Sequence, residues 1–416
     1  MRVILTGTYS SRNKGDAAMQ QTMVTLLRET WPGMEVMIAS PFPSIDRSYY
    51  RDAVVLKCYR RNLPLAVIQL IVLLLLRLTG LSPRICPVSR EVEAMIDSDM
   101  VIDLSGDMLT EDYGPLVCLS HFLPLLQAQI LKRPNIICAQ SIGPFRRLTR
   151  LATRVLSRAD MVTVREGISE KYVKALSPCS PLVRTADIAF LMKSSPPNRA
   201  REILELEVVP EPDGELRLGV SLSALLINNI NRHIRNDAGT DSVAEISRAL
   251  DRVSSELNVQ ILFLPHVFGP RSGADDRSAI QAVMKLMNTR PASIKNEYRA
   301  EELKAIIATC DAFLGSRMHA NIAALDSLIP VLAIGYSHKT EGILRELDLQ
   351  QWVLSNADMT ADGLFSALVR LLHDLSDYRA HLQDRLPAVR ERAWKNIDII
   401  KHIVEPERTH PVQGEV

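Results

Sequence analysis

The sequence lacks a strong charge of either sign. Its 49 Lys and Arg residues nearly balance its 48 Asp and Glu residues, which leaves a net charge of +1 over 416 residues. A chain without a large net positive charge has no general electrostatic attraction for nucleic acid, so we expect no nucleic-acid partner. Any anion that this chain binds must therefore be held by a local cluster of cations.

Cysteine pairs and an export signal are also missing. The six cysteines are scattered, with no CxxC pair and no histidine spacing typical of zinc, so we expect reduced thiols and no metal site. The start of the chain, MRVILTG, enters a strand directly, without the charged region, apolar region and cleavage site of a signal peptide. These features predict a cytoplasmic protein.

No apolar run is long enough to span a bilayer. In Leu63–Leu81, interrupted by Gln69 and Arg77, the charge-free part of about 14 residues falls short of the roughly 20 that a spanning helix needs. Its basic flanks suit a helix that lies on an anionic membrane surface, which would place the protein at the cytoplasmic membrane face. The sequence is equally compatible with a helix that packs in a domain core or in a homo-oligomer interface. The flanking cations are Lys57, Arg60, Arg61, Arg77 and Arg84.

Short β-branched runs alternate with amphipathic stretches along the chain, the pattern of βαβ units on a parallel sheet. The length favours two domains, and Lys193–Ala200 has the composition of a linker. We predict an α/β protein with two Rossmann-like parallel-sheet domains facing a cleft, residues 1–195 and 196–376. In the helical tail, residues 377–416, the helix Asp377–Val404 is expected to fold back onto the first domain. The predicted strands are Val3–Thr6, Glu35–Ala39, Met100–Leu104, Asn135–Ala139, Met161–Val164, Leu216–Leu222, Val259–Leu264, Ala312–Leu314 and Val331–Ile334.

Polar residues follow several of these strands, and in two facing Rossmann-like domains such positions border the cleft. After the first strand comes TGTYSSRNKGDAAMQQ, in which Asp16 is placed to cap the following helix. The segment matches neither a GxGxxG fingerprint nor a Walker loop, so it gives no support for nucleotide binding. We predict instead that Asn13, Lys14 and Asp16 hydrogen-bond the hydroxyl groups of a polar acceptor.

Three further strand ends in the first half carry polar side chains. Asp103 and Asp107 border a turn, and loop stabilisation is the simpler interpretation for each. Gln140 and Ser141 end a buried strand, so they either face the cleft or bond to the loop. Arg165 ends the next strand and is expected to point into the cleft. Asp107, Gln140 and Ser141 are candidates for the acceptor side.

The segment LGSRMHANIAAL places Arg317 and His319 where an apolar strand gives way to a helix of small residues. A helix N-terminus attracts anions, arginine adds a fork of donors, and histidine can exchange a proton near neutral pH. His338 and Lys339 lie at the next such junction. These cations predict one pocket that needs a small polyanionic ligand to neutralise it.

Six motifs resemble those of polysaccharide pyruvyl transferases, in the same order along the chain from Asn13 to about Val353. The motifs are NKGDAA, AQSIGPF, VREGIS, ADIAFL, SRMHANIAAL and GYSHKTEGILRELDLQQWV. Ser-Arg-Met-His-Ala followed by Lys339 is the most specific of them. The resemblance implies a fold similar to GT-B glycosyltransferases. It also implies transfer of pyruvate from phosphoenolpyruvate to sugar hydroxyls of an exopolysaccharide or cell-surface glycan, often as a cyclic ketal.

The resemblance also assigns roles to residues. Arg165, Arg317 and Lys339 would hold phosphoenolpyruvate, with Ser316 and His338 beside them, and His319 would be the general acid. The catalytic set is then His319, Arg317 and Arg165, without a cofactor other than the donor substrate. Where the family often has a glycine pair, this chain has Ser105-Gly106 on the acceptor side. The acceptor, a sugar or a lipid-linked oligosaccharide, is therefore not fixed by the motifs.

Two other functions fit the same pattern. A GT-B glycosyltransferase would use its cations for the pyrophosphate of a nucleotide sugar, although no carboxylate signature for a ribose is found in the second half. A non-catalytic scaffold would serve polysaccharide assembly through Leu63–Leu81. The cationic residues in the predicted cleft argue against the scaffold, because an inert protein has no use for them.

Overall fold

The computed structural model describes residues 1–85, 89–224, 242–270, 272–335, 338–355 and 358–405. The first half forms a seven-stranded parallel sheet in the order β3-β2-β1-β4-β5-β6-β7. Its strands are β1 (Arg2–Thr6), β2 (Glu35–Ser40), β3 (Val54–Lys57), β4 (Met100–Asp103), β5 (Asn135–Gln140), β6 (Met161–Val164) and β7 (Leu182–Arg184).

Helices cover this sheet on both faces, since β4 and β5 are buried at every position. The helices are α1 (Lys14–Thr30), α2 (Pro43–Tyr49), α3 (Leu63–Leu78), α4 (Arg90–Asp97), α5 (Pro115–Ile130), α6 (Thr149–Leu156) and α7 (Gly167–Ala175). Short 3₁₀ turns lie at Pro83–Ile85 and Ile188–Leu191.

The second half repeats the plan with six parallel strands in the order β10-β9-β8-β11-β12-β13. The strands are β8 (Leu216–Ser221), β9 (Val259–Phe263), β10 (Ala292–Ser293), β11 (Ala312–Gly315), β12 (Val331–Ile334) and β13 (Val353–Leu354). The helices are α8 (Pro197–Leu206), α9 (Ser242–Leu257), α10 (Asp276–Met284), α11 (Ala300–Ile307), α12 (Met318–Asp326), α13 (His338–Arg345) and α14 (Ala361–His373). The predicted pair of Rossmann-like sheets is therefore confirmed.

The last helix, α15 (Leu375–Val404), contacts both halves of the chain. Arg390 donates to Oδ1 of Asp326 in the second half at 2.7 Å. Further along, the Asn396 side-chain oxygen accepts hydrogen bonds from Thr163 in β6 at 2.8 Å and from Thr185, directly after β7, at 3.0 Å. The tail thus folds back onto the first domain as predicted.

Four strands escaped the sequence analysis, namely β3, β7, β10 and β13, and all four are sheet edges. Edge strands are short and partly exposed, so they lack the continuous apolar run that marks a buried parallel strand. The predicted inner strands are all present. β6 and β12 have the predicted bounds, and the others differ by one residue at one end.

None of the helices in the described ranges is long and apolar enough to cross a membrane. Five of the six cysteines lie in those ranges, all as free thiols, and four of the five are buried. Cys86 lies outside them. In the same ranges no group of three or more His, Cys, Asp or Glu side chains is placed to hold a metal ion.

Candidate active site

The strand order reverses between β1 and β4 in the first sheet and between β8 and β11 in the second. A ligand crevice forms outside the carboxyl ends of parallel strands at such a reversal. The loops after these strands meet across the two domains. Asn13 forms an antiparallel bridge with Val267, and the Lys14 N–H donates to the His266 carbonyl at 2.9 Å. The two predicted sides of the site therefore border one cleft.

His319 lies in the first turn of α12 and reaches the first domain. Its Nε2 is 3.5 Å from Oδ2 of Asp187, too long for a strong hydrogen bond but close enough for attraction when the imidazole is protonated. On its Nδ1 side the ring meets Gly15 of α1, where an added methyl group would clash with it. Gly15 thus permits the close approach of His319.

Arg165, directly after β6, is fully buried. Its Nη1 donates to Oδ2 of Asp187 at 2.6 Å, and its Nε donates to Oγ of Ser141 at 2.9 Å. Burial by itself would raise the pKa of Asp187, but the charges of Arg165 and His319 outweigh burial and hold this pKa well below its usual range. Asp187 is therefore an ionised carboxylate between Arg165 and His319.

Two buried nitrogens beside Asp187 have no hydrogen-bond partner among the described residues. They are Nη2 of Arg165 and Nε2 of His319. Buried polar atoms in proteins are nearly always bonded. A ligand with two oxygen atoms at this point would supply both missing partners.

Arg317 precedes α12 and holds Asp276 through two hydrogen bonds, from Nε at 3.1 Å and from Nη2 at 2.5 Å. Ser316 joins the ends of β8 and β11: its Oγ accepts from the Ser223 N–H at 2.7 Å and donates to the Ser221 carbonyl at 3.2 Å. The fork that we expected to bind the donor therefore faces a protein carboxylate. Contact of Arg317 and Ser316 with a donor stays a prediction.

Lys339, in α13, also crosses the cleft. Its Nζ donates to the backbone carbonyl of Asp107 at 3.0 Å and to its Oδ2 at 3.2 Å, and lies 4.6 Å from the Tyr113 ring centre. Burial would raise the pKa of Asp107, but Lys339 and Arg165 hold it well below its usual range. The side chain of His338, also predicted for the donor side, lies outside the described residues.

Lys14, predicted for the acceptor side, is buried between the domains. Its Nζ donates to Oε1 of Glu297 at 2.8 Å and to the Ser11 carbonyl at 3.0 Å. The ring centres of Tyr49 and Phe268 lie 5.2 and 5.4 Å from this nitrogen. Burial lowers the pKa of Lys14, and Glu297 opposes this shift. In this structure Lys14 is thus engaged in the contact between domains.

Asp16 does not cap α1, so that prediction was wrong. The helix begins at Lys14, and Asn13 is the cap, its side chain accepting from the Gly15 N–H at 3.1 Å. Asp16 lies in the first turn and accepts from the Tyr9 N–H at 2.9 Å. Burial raises the pKa of Asp16 to about 6, opposed by the Tyr9 hydrogen bond and by His319. Such a carboxyl group can exchange a proton near neutral pH.

Gln140 and Ser141 are fully buried. Nε2 of Gln140 donates to the carbonyl and to Oδ2 of Asp103, at 3.0 and 2.5 Å, and Asp103 also accepts from Thr6 at 3.0 Å. Ser141 accepts from Arg165. Of the two interpretations left open, bonding to the neighbouring loops is the one that the structure shows. Asp103 likewise stabilises its own turn.

His266 was missed by the sequence analysis. It follows β9 at the cleft edge, and its Nδ1 faces the Leu264 carbonyl at 3.3 Å. Burial lowers the pKa of His266 to about 3, and Arg317, His319 and Lys14 act in the same direction. The imidazole is therefore neutral. Its signal was present in LPHVFGP, where a polar residue follows an apolar strand within three positions, as at the Arg317 junction.

Each donor-side cation with a described side chain has a carboxylate partner. The pairs are Arg165 with Asp187, Arg317 with Asp276, and Lys339 with Asp107. The prediction that these cations need a polyanionic ligand for neutrality was wrong, because carboxylates that are distant in the sequence already neutralise them. An anionic ligand would share these cations with the protein.

Two doubly wound domains that share a cleft at their strand reversals define a protein of the GT-B type. The chain belongs to the polysaccharide pyruvyl transferase family, whose model matches residues 13–338. It is 24% identical to the amylovoran biosynthesis protein AmsJ of Erwinia amylovora, over 97% of this chain and 100% of that protein. The family and this relative support a role in polysaccharide biosynthesis.

Solved structures with the same fold include S. aureus MnaA with UDP and a glycosyltransferase from Rickettsia africae. The first has a TM-score of 0.64 at 12% identity and covers 99% of both chains. The second has a TM-score of 0.59 at 9% identity and covers 97% of this chain and 98% of its own. At these identities the likeness establishes the fold alone.

Proposed function

We propose that this protein transfers the pyruvyl group of phosphoenolpyruvate to hydroxyl groups of an exopolysaccharide or cell-surface glycan precursor, closing a cyclic ketal. Membership of the family supports the reaction class. The observation that carries the proposal in this chain is the pair of buried nitrogens, on Arg165 and His319, that lie beside Asp187 without a well-formed hydrogen bond. Phosphoenolpyruvate has carboxylate and phosphate oxygens close together, which suits two donors at one point.

In the proposed reaction His319 protonates C3 of phosphoenolpyruvate, which makes C2 an oxocarbenium-like centre. A sugar hydroxyl attacks C2 and gives its proton to Asp16, whose pKa of about 6 leaves it ionised at neutral pH. Phosphate then leaves with the electron pair of its C–O bond, and a second hydroxyl closes the ketal. The two sugar hydroxyls release two protons in all. One replaces the proton that His319 gave to C3, and the other leaves with phosphate.

The paired cations suit this chemistry. Charge moves onto phosphate as its bond to C2 breaks, and cations that are already fixed in place stabilise that charge without reorganisation. Asp187, Asp276 and Asp107 fix Arg165, Arg317 and Lys339 in this way. Asn13 and Asp107, in the segments that follow the neighbouring strands β1 and β4 of the first domain, remain our candidates for contact with the acceptor.

A binding experiment separates this function from its alternatives. Phosphoenolpyruvate should raise the melting temperature of the purified protein, and UDP should not. With a glycan precursor as acceptor, phosphate release should accompany a mass gain equal to a pyruvyl ketal. Stabilisation by UDP alone would instead support a nucleotide-sugar glycosyltransferase. If neither ligand binds and a His319→Ala protein still restores the polysaccharide in cells, a scaffold is the better explanation.

A further inference from the structure

Helix α3 leaves one apolar face uncovered. Ile68, Ile71, Leu75 and Leu78 recur at the spacing of a single helical face, and their exposed fractions are 54, 50, 55 and 74%. The opposite side of α3 packs on α5. Soluble monomers rarely expose a contiguous apolar surface of this kind unless it binds something.

Exposed apolar side chains also occur just after α3 and at the start of α5, the helix on which it packs. Leu81 and Ile85 follow α3 and are exposed, as are Leu116 and Val117 in the first turn of α5. We call these four side chains, with the four of α3, the apolar face. It belongs entirely to the first domain.

The segment that contains α3 is rich in positive charge. From residue 53 to residue 90 the chain has six Lys and Arg residues and no Asp or Glu, although the whole protein is nearly neutral. Five of the six cations are exposed: Lys57, Arg61, Arg77, Arg84 and Arg90. Asp97 in α4 pairs with Arg84. Exposed apolar side chains in a cation-rich segment match the surface of an anionic bilayer.

Helices α3 and α5 run side by side in the same direction, and the start of α3 adjoins a loop of the cleft. Arg77, near the end of α3, donates to two carbonyls at the end of α5, at 3.1 and 2.9 Å. Arg60, just before α3, contacts His121 of α5 at 3.3 Å. Arg60 also donates to the carbonyls of Gly7 and Thr8, in the loop that leads to the acceptor side of the site.

We propose that the apolar face binds the surface of an anionic lipid bilayer, with α3 lying in the interfacial plane. A second copy of the chain fits less well, since a twofold pairing through this face would bring two sets of the same cations together. The identity of the acceptor rests on the proposed function. If that function holds, the acceptor is a membrane-anchored glycan whose sugar enters the cleft from the bilayer.

The test is vesicle co-sedimentation of the full chain without substrates. Wild-type protein should bind vesicles of phosphatidylcholine with phosphatidylglycerol at least tenfold better than vesicles of phosphatidylcholine alone, and added salt should weaken the binding. The double variant Ile71→Glu, Leu75→Glu should lose at least tenfold in binding to the anionic vesicles.

A matched control places the same two charges on the second domain. Leu206 and Leu286 are exposed to 64 and 51%, so Leu206→Glu, Leu286→Glu should leave vesicle binding unchanged. Thermal unfolding checks that each variant is folded. The proposal fails if wild-type protein ignores anionic vesicles or if the α3 variant binds as wild type. It also fails if the protein is a dimer that the α3 variant dissociates without any vesicle binding.

This experiment is independent of the reaction. Vesicle binding needs neither phosphoenolpyruvate nor a glycan, so a protein that binds vesicles and fails to use phosphoenolpyruvate would overturn only the proposed function. A protein that turns over phosphoenolpyruvate with a soluble acceptor but ignores vesicles would overturn only the membrane proposal.

Discussion

Oδ2 of Asp187 contacts both Nη1 of Arg165, at 2.6 Å, and Nε2 of His319, at 3.5 Å. A single carboxylate oxygen of the first domain therefore faces a residue of its own domain and one from across the cleft. Arg165 and Asp187 are fully buried, whereas the His319 side chain is partly exposed. Substitution of His319 and substitution of Asp187 should accordingly give different outcomes.

His319→Ala should lower the turnover of phosphoenolpyruvate by about two to four orders of magnitude and its affinity by no more than about tenfold, because the proton donor and one hydrogen bond to the ligand are lost. The melting temperature should stay almost the same, since the side chain is partly exposed and Arg165 still pairs with Asp187. Steady-state kinetics and thermal unfolding measure both effects. A markedly unstable variant, or a folded one with normal turnover, would contradict the assignment.

Asp187→Asn should lower the free energy of unfolding by about 3 to 5 kcal/mol, because it leaves Arg165 buried without its counter-charge. The lowered pKa of Asp187 means that its contribution is present above the unfolded-state pKa of about 4 and is lost as the pH falls below that value. Urea unfolding between about pH 3 and 7 should therefore show a smaller loss of stability at acid pH in the variant. Equal pH dependence in both proteins would disprove the account.

Gly15→Ala tests the contact between α1 and His319. The added methyl group would displace the imidazole, so turnover should fall by about tenfold or more while the fold is kept. Gly33→Ala is the matched control, because nothing lies within 4 Å of a methyl group at that position. Equal activity of the two variants would show that the position of His319 does not matter.

The pH dependence of turnover tests Asp16. A base with a pKa of about 6 is active when ionised, so the wild-type rate should fall as the pH drops through that value. Asp16→Asn should be much slower and should lose this acid limb. A wild-type limb that persists unchanged in a slow but folded variant would assign the titration to another group.

Arg317→Ala should weaken phosphoenolpyruvate binding and also destabilise the protein by about 3 kcal/mol, because Asp276 is fully buried and loses its two-point partner. Arg317→Lys should recover only part of either loss, since an ammonium group cannot replace the planar fork. Isothermal calorimetry and chemical denaturation measure the two effects. Weak binding at unchanged stability would show that the pair with Asp276 contributes little.

The place of Arg317 and His319 could be predicted from the sequence because the signal is local: an apolar strand, a small turn and a helix start. Their partners could not. Asp187 and Asp276 lie far from Arg317 and His319 along the chain, and such long-range ion pairs follow no sequence periodicity. Asp276 resembles an ordinary residue at the start of a helix. The two sheets were predictable from their buried inner strands, whereas the partly exposed edges gave no comparable pattern.

Asn396 also sets an order of events during synthesis. Thr163 lies in β6 and Thr185 directly follows β7, yet the side chain that accepts their hydrogen bonds is among the last helical residues to be made. The core of the first domain therefore remains incomplete until the whole of the second domain and most of α15 have been synthesised. A stop codon ahead of α15 would deprive both domains of their shared support, and such a product should be a substrate for proteases rather than a shortened enzyme.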